Sequence, residues 1–196
     1  MARLSEKELA DLVRSVFPGH PEDRGLAVLV DVPRDPGRDN PGWKTRRAMA
    51  EDWRALLKKG AAAVPLDRVL LVAYPDVGSN NADLPADAFV VERGLPDVAS
   101  GLEARGARTP FEALFRDIPL FLAPTEYSTT APLKNAAAKQ GFRAATMPGF
   151  SEKMVPALRL DYGEVGRRVA ALKERLDRAE ERSEEHTSEL QSLSSI

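Results

Sequence analysis

Short, almost wholly apolar runs separated by amphipathic stretches recur along this chain, and no other feature limits its fold as much. Residues 26–32 read LAVLVDV and residues 68–74 read RVLLVAY. Runs of this kind suit strands buried on both faces, as in a parallel sheet covered by helices. A weaker strand is expected over 88–91, another apolar one over 119–123 and a further one over 143–146. Between the strands the apolar spacing changes to the helical one. Ser5 and Glu8 have capping-box spacing ahead of Leu9, Leu12, Val13 and Val16. Pro41 suits the first position of a helix whose Met49, Trp53, Leu56, Leu57 and Gly60 share a face. Thr109 and Glu112 repeat the capping-box spacing before a short helix, and an Ala-rich helix over 132–140 closes at Gly141. Asp161 is expected to cap a last helix with the stripe Val165, Val169, Leu172 and Leu176. The alternation predicts an α/β domain: a mostly parallel, Rossmann-like sheet with helices on both faces. The Gly- and Arg-rich stretch 92–108 reads as a surface connection.

The final stretch, 182–196, is set apart. RSEEHTSELQS, from Arg182 to Ser192, matches the translation of a common sequencing-library adapter residue for residue. The expectation is therefore an α/β domain over 1–181, an artefactual and disordered tail over 182–196, and a natural chain that continues elsewhere. The sequence holds 28 Lys+Arg and 30 Asp+Glu, and removing the tail leaves 27 of each. A net charge of zero gives no support to nucleic-acid binding. The absence of cysteine excludes disulfides, zinc–thiolate sites and Cys nucleophiles. No apolar run approaches the ~20 residues that span a bilayer, and no secretory signal is visible, so the expected setting is the cytoplasm.

In open α/β sheets, ligands bind beyond the carboxyl ends of the strands. Four polar loops leave those ends: 31–35 running on to Trp43, Arg46 and Arg47, then 74–83, 123–130 and 146–149. If the strands are parallel, the loops converge on one rim, and Asn80, Asn81 and Asp83 meet Thr125, Glu126, Tyr127, Ser128 and Thr129. An antiparallel arrangement would hold the groups ~17–20 Å apart. These eight are the candidate ligand-binding residues, although turn chemistry alone also explains Asn, Ser and Gly at such places. Sharper motifs are missing: there is no Gly-x-Gly-x-x-Gly, no P-loop and no Gly-x-Ser-x-Gly. His20, between Gly19 and Pro21, reads as a surface loop residue. The cluster Arg34, Arg38, Arg46 and Arg47 is matched by Asp35, Asp39, Glu51 and Asp52 and reads as a solvated, paired face. No catalytic residue and no metal ligand is assigned.

One set of motifs carries a resemblance. Ala123-Pro124-Thr125-x-Tyr127-Ser128, a helix, Ala145-Thr146-Met147-Pro148-Gly149, and then Asp161-Tyr162 opening a long helix resemble the N-terminal domain of the aminopeptidase T-like leucyl aminopeptidases, a family of thermophilic metalloproteases. The resemblance spans about 120–180. It implies a two-domain metallopeptidase acting on peptides, with a pair of divalent metals held by carboxylates and histidines of a C-terminal domain, which would be this chain's partner. It assigns no cofactor and no metal ligand to the residues present, and it leaves a homodimer open. The alternative is a non-catalytic α/β domain that binds a small polar molecule at the rim, with no membrane and no nucleic acid involved.

Overall fold

The computed structural model describes residues 3–20, 22–60, 64–159 and 162–179. The chain falls into two compact units, Met1–Arg159 and Leu160–Ile196. Asp161 and the stretch 182–196 lie outside the described residues.

The first unit is built on a six-stranded sheet ordered β4-β3-β2-β1-β5-β6. Strand β1 (Gly25–Val32) is buried at every position. It pairs in parallel with β2 (Arg68–Pro75) on one side and β5 (Leu120–Ala123) on the other, which is why its run is apolar but for Asp31. β6 (Arg143–Thr146) adds in parallel beyond β5. Beyond β2 the direction reverses. β3 (Asp87–Val91) is antiparallel to β2, and β4 (Gly106–Pro110) is antiparallel to β3.

The stretch read as a surface connection therefore contains a 3-10 helix, Ala99–Ala104, and the start of an edge strand. Nothing in Gly106-Ala107-Arg108-Thr109-Pro110 alternates apolar with polar. An edge strand facing solvent tolerates Arg and Pro, and its pairing is set by the backbone. Two details hold it. A Cβ on Gly106 would lie 2.3 Å from the Val90 carbonyl oxygen, so only glycine allows this approach. Arg108 also lays its guanidinium over the Phe89 ring, 5.4 Å from the centroid. The second capping box is absent for the same reason. Thr109 belongs to β4, opposite Ala88, and Pro110 precedes helix α3 (Phe111–Asp117) without a side-chain cap.

Alternate residues of the strands feed two cores. One face (Leu26, Val28, Val30, Leu71, Leu122) packs under α1 (Glu6–Val16) and α2 (Pro41–Lys59). The capping box of α1 forms as expected between Ser5 and Glu8, and Asn40 caps α2 through Trp43 N–H. The other face (Ala27, Leu29, Val72, Phe121) packs under α3 and α4 (Thr130–Gln140). Here Phe115 stacks on Phe142 with centroids 4.6 Å apart, and Phe121 stands edge-on to both. Each such ring pair adds about 0.5–1.5 kcal/mol beyond its burial. Gly141, at φ 82°, ends α4, and α5 (Val155–Leu158) follows β6.

The second unit contains helix α6 (Tyr162–Asp177). No described helix is long and apolar enough to cross a membrane.

Candidate functional site

The path of the chain through the sheet fixes where a cleft can open. From β1 the chain runs through α2 to β2, on one side. From β5 it runs through α4 to β6, on the other. The loops leaving β1 and β5 therefore part company, and this divergence is the switch point at which α/β sheets place ligands.

Asp31 stands there, one residue from the end of β1 and fully buried. Its Oδ1 accepts from Glu126 N–H at 2.8 Å and from the Trp43 indole N–H at 3.1 Å, and its Oδ2 accepts from Tyr127 N–H at 3.0 Å. One carboxyl group thus ties β1, the first turn of α2 and the loop after β5. Burial pushes the Asp31 carboxyl up to about 7, against the pull of the Tyr127 N–H, the Trp43 indole and the Arg46 charge.

Glu126 forms a close ion pair with Arg46 and accepts from Asn40 Nδ2 at 3.2 Å. Arg46 also donates to the Phe150 carbonyl at 3.2 Å, while Arg47 grips Asp39 through two bonds of 3.0 and 2.8 Å. Arg46 and Arg47 are each only 5% exposed. The expected solvated face is therefore corrected: among the described residues Asp39 alone of the four acids pairs with this cluster, Asp52 pairs with Arg3, and half of the four arginines lie inside the protein. Across the switch point, Asp76 is buried as well. Its Oδ2 accepts from Arg34 N–H at 2.7 Å, and its carbonyl accepts from Arg34 Nε at 2.8 Å. Arg38 lies over the Tyr127 ring at 5.7 Å and donates to the Tyr127 hydroxyl.

The structure brings most of the expected rim residues together. Asn80 Oδ1 accepts from Ser128 N–H at 2.8 Å. Asn81 donates its N–H to the Ser128 carbonyl at 2.7 Å, while its Oδ1 accepts from Ser128 Oγ and Ala131 N–H, both at 3.1 Å. Its φ of 60° is the one positive value among described non-glycine residues, and Asn tolerates it where most side chains do not. Replacing Asn81 by Ala should remove about 1–3 kcal/mol of stability in urea denaturation, through lost bonds and backbone strain, whereas Asn81→Gly loses the bonds alone. A neutral alanine variant would show that the Asn80 and Ser128 loops hold each other without it.

Thr125 and Thr129 are fully buried. Thr125 Oγ1 donates to the Tyr127 carbonyl at 2.6 Å, which makes it a turn former. Glu126, Tyr127 and Ser128 are half-buried. Asp83 stands apart from this network. It is exposed and lines an open groove with Phe111, Glu112, Asn135 and Lys139. His20 is exposed beside Glu22.

The sequence places Asp31, Arg46, Tyr74 and Asp76 in the loops that leave the strands but does not single them out as candidate binding residues; in the structure they form a polar centre beneath Thr125 to Thr129. An aspartate inside an otherwise apolar strand was the available signal. Two hydroxyls of this region, on Tyr74 and Thr129, are buried without a hydrogen-bond partner among the described residues. Burial, with Asp31 and Asp76 nearby, raises the Tyr74 phenol well above its ordinary value. The surface itself is a row of hydroxyls, Ser128 Oγ, Thr130 Oγ1 and Thr146 Oγ1, joined at 3.1 and 2.8 Å. Such a rim can donate and accept hydrogen bonds. Among the described residues, no group of three or more His, Cys, Asp or Glu could hold a metal ion. Compared with protein-family models, curated proteins and solved structures, the chain matches none.

Proposed function

We propose that this α/β unit is the N-terminal, non-catalytic domain of an aminopeptidase T-like metallopeptidase. What supports the reading is how the motifs that carry the resemblance meet in space. The Ala123-to-Ser128 and Ala145-to-Gly149 segments lie side by side at one end of the sheet. Met147 N–H donates to the Ala123 carbonyl at 2.9 Å, Gly149 N–H to the Thr125 carbonyl at 2.8 Å, and the Thr130 and Thr146 hydroxyls bond across. Motifs distant in sequence thus form one surface.

The metal pair that the resemblance implies does not fit the residues described, which offer no such ligand group. In this reading its ligands belong to the rest of the enzyme. The present residues build and hold the rim, and no chemical step is assigned to them.

The test compares this chain with the product of its natural reading frame, each assayed on leucyl p-nitroanilide with added cobalt or zinc. The chain alone should give no turnover, and the longer product should give turnover that a chelator abolishes. Metal-dependent turnover by the chain alone, or a reading frame that supplies no His- and Glu-bearing domain, would overturn the proposal.

A second reading is a small-molecule-binding domain. The buried, unpartnered hydroxyls of Tyr74 and Thr129 beside the switch point favour it.

A further inference from the structure

Helix α6 carries a heptad seam. Val165, Val169, Leu172 and Leu176 follow one another at spacings of four, three and four residues, the rhythm of alternating d and a positions. Each is between 38% and 59% exposed. Between Val165 and Leu176 the positions that border such a seam, e and g, hold Gly166, Arg168, Lys173 and Arg175, so among the described residues every charge on these positions is positive. The acids Glu164, Glu174 and Asp177 fall outside these positions. Arg168 bonds Glu164 at 2.7 Å, and Lys173 pairs with Asp177.

The charges select the occupant. Against a second copy in parallel, g meets e and Arg168 faces Lys173. Against an antiparallel copy, e meets e and g meets g. Both arrangements set cation against cation, which opposes self-pairing. We propose that α6 is a docking helix for an apolar helix of another polypeptide whose flanks carry carboxylates. Its a and d side chains bury the seam, and its Glu or Asp residues meet Arg168, Lys173 and Arg175. The inference rests on the seam and its flanks and is independent of the peptidase reading.

The experiment uses the full chain and two fluorescein-labelled heptad peptides. Both carry Leu at a and d; one has Glu at e and g, the other Lys. Fluorescence anisotropy should show the Glu peptide binding about tenfold or more tightly than the Lys peptide, with a preference that fades as salt is added. Val169→Asp with Leu172→Asp should abolish binding. Arg168→Glu with Arg175→Glu, which keeps the exposed helix surface polar, should move the preference toward the Lys peptide. Failure of both peptides to bind, equal binding of the two, an unchanged preference after charge reversal, or a dimer of the chain that Val169→Asp dissolves would each overturn the proposal.

Discussion

Replacing Asp31 by alanine is expected to cost the protein about 3–5 kcal/mol, a large share of the roughly 5–15 kcal/mol that separates folded from unfolded domains. The loss has a definite origin. The carboxylate receives the Trp43 indole and the Glu126 and Tyr127 N–H groups, all in a buried setting. Without it the Glu126 and Tyr127 N–H groups have no acceptor, while the Trp43 indole keeps the Asp31 carbonyl at 3.0 Å. Each buried orphan costs about 1–3 kcal/mol, with some relief as neighbours shift. Urea denaturation near neutral pH measures the effect. A loss below about 1 kcal/mol would mean that water enters and takes over the acceptor's place.

The same residue gives stability a pH dependence of unusual sign for a carboxylate. In the unfolded chain Asp31 titrates near 3.9, whereas in the folded protein its carboxyl is raised to about 7. Between those values the folded state holds a proton that the unfolded state lacks. This contribution to stability is therefore complete below about pH 4 and declines as pH rises through 7. Urea midpoints should fall between pH 5 and 7 and then level off. Asp31→Asn should flatten that slope, although its amide must face Tyr127 N–H with a donor and costs some stability. A pH-independent wild type across this interval would refute the assignment.

The second large effect is expected at Glu126. Its partner Arg46 has a side chain only 6% exposed, and Glu126 itself is 24% exposed. Glu126→Ala strands a buried guanidinium and should cost about 3–5 kcal/mol. Replacing the pair together, with Arg46→Met and Glu126→Leu, should recover most of that loss, because two apolar groups need no counter-ion. A neutral Glu126→Ala variant would show that the Arg46 head reaches water and would return Glu126 to the set of free ligand contacts.

Much of the fold was legible because burial writes itself into apolar spacing. β1 and β2 are read within a residue of their ends, and Pro41 marks the start of α2. The arginines show where composition misled. Charge balance suggested a wet surface, but helical spacing held the better information. Positions 43, 46, 47, 50, 53 and 57 form one stripe, and all six are buried in α2. β4 stayed hidden because its pairing is made by backbone and by a missing Cβ at Gly106, neither of which leaves an apolar pattern. The rim was legible through topology: once β1, β2, β5 and β6 are parallel, Asn80, Asn81 and Ser128 must meet. Asp83 did not follow, because the loop turns away toward β3 after Asn81.

The polar centre also sets a clock. Asp31 finds its donors on Glu126 and Tyr127, 95 and 96 residues later in the chain. At the roughly 5–20 residues per second of synthesis, β1 waits about 5–20 s for the strand and loop that complete its second side. During that interval the most apolar strand of the protein presents a bare edge, paired at best with β2 alone. Unpaired apolar edges invite other strands. The residue at the centre of the finished sheet thus waits for donors made long after it, and until they arrive the newborn chain carries an open apolar edge.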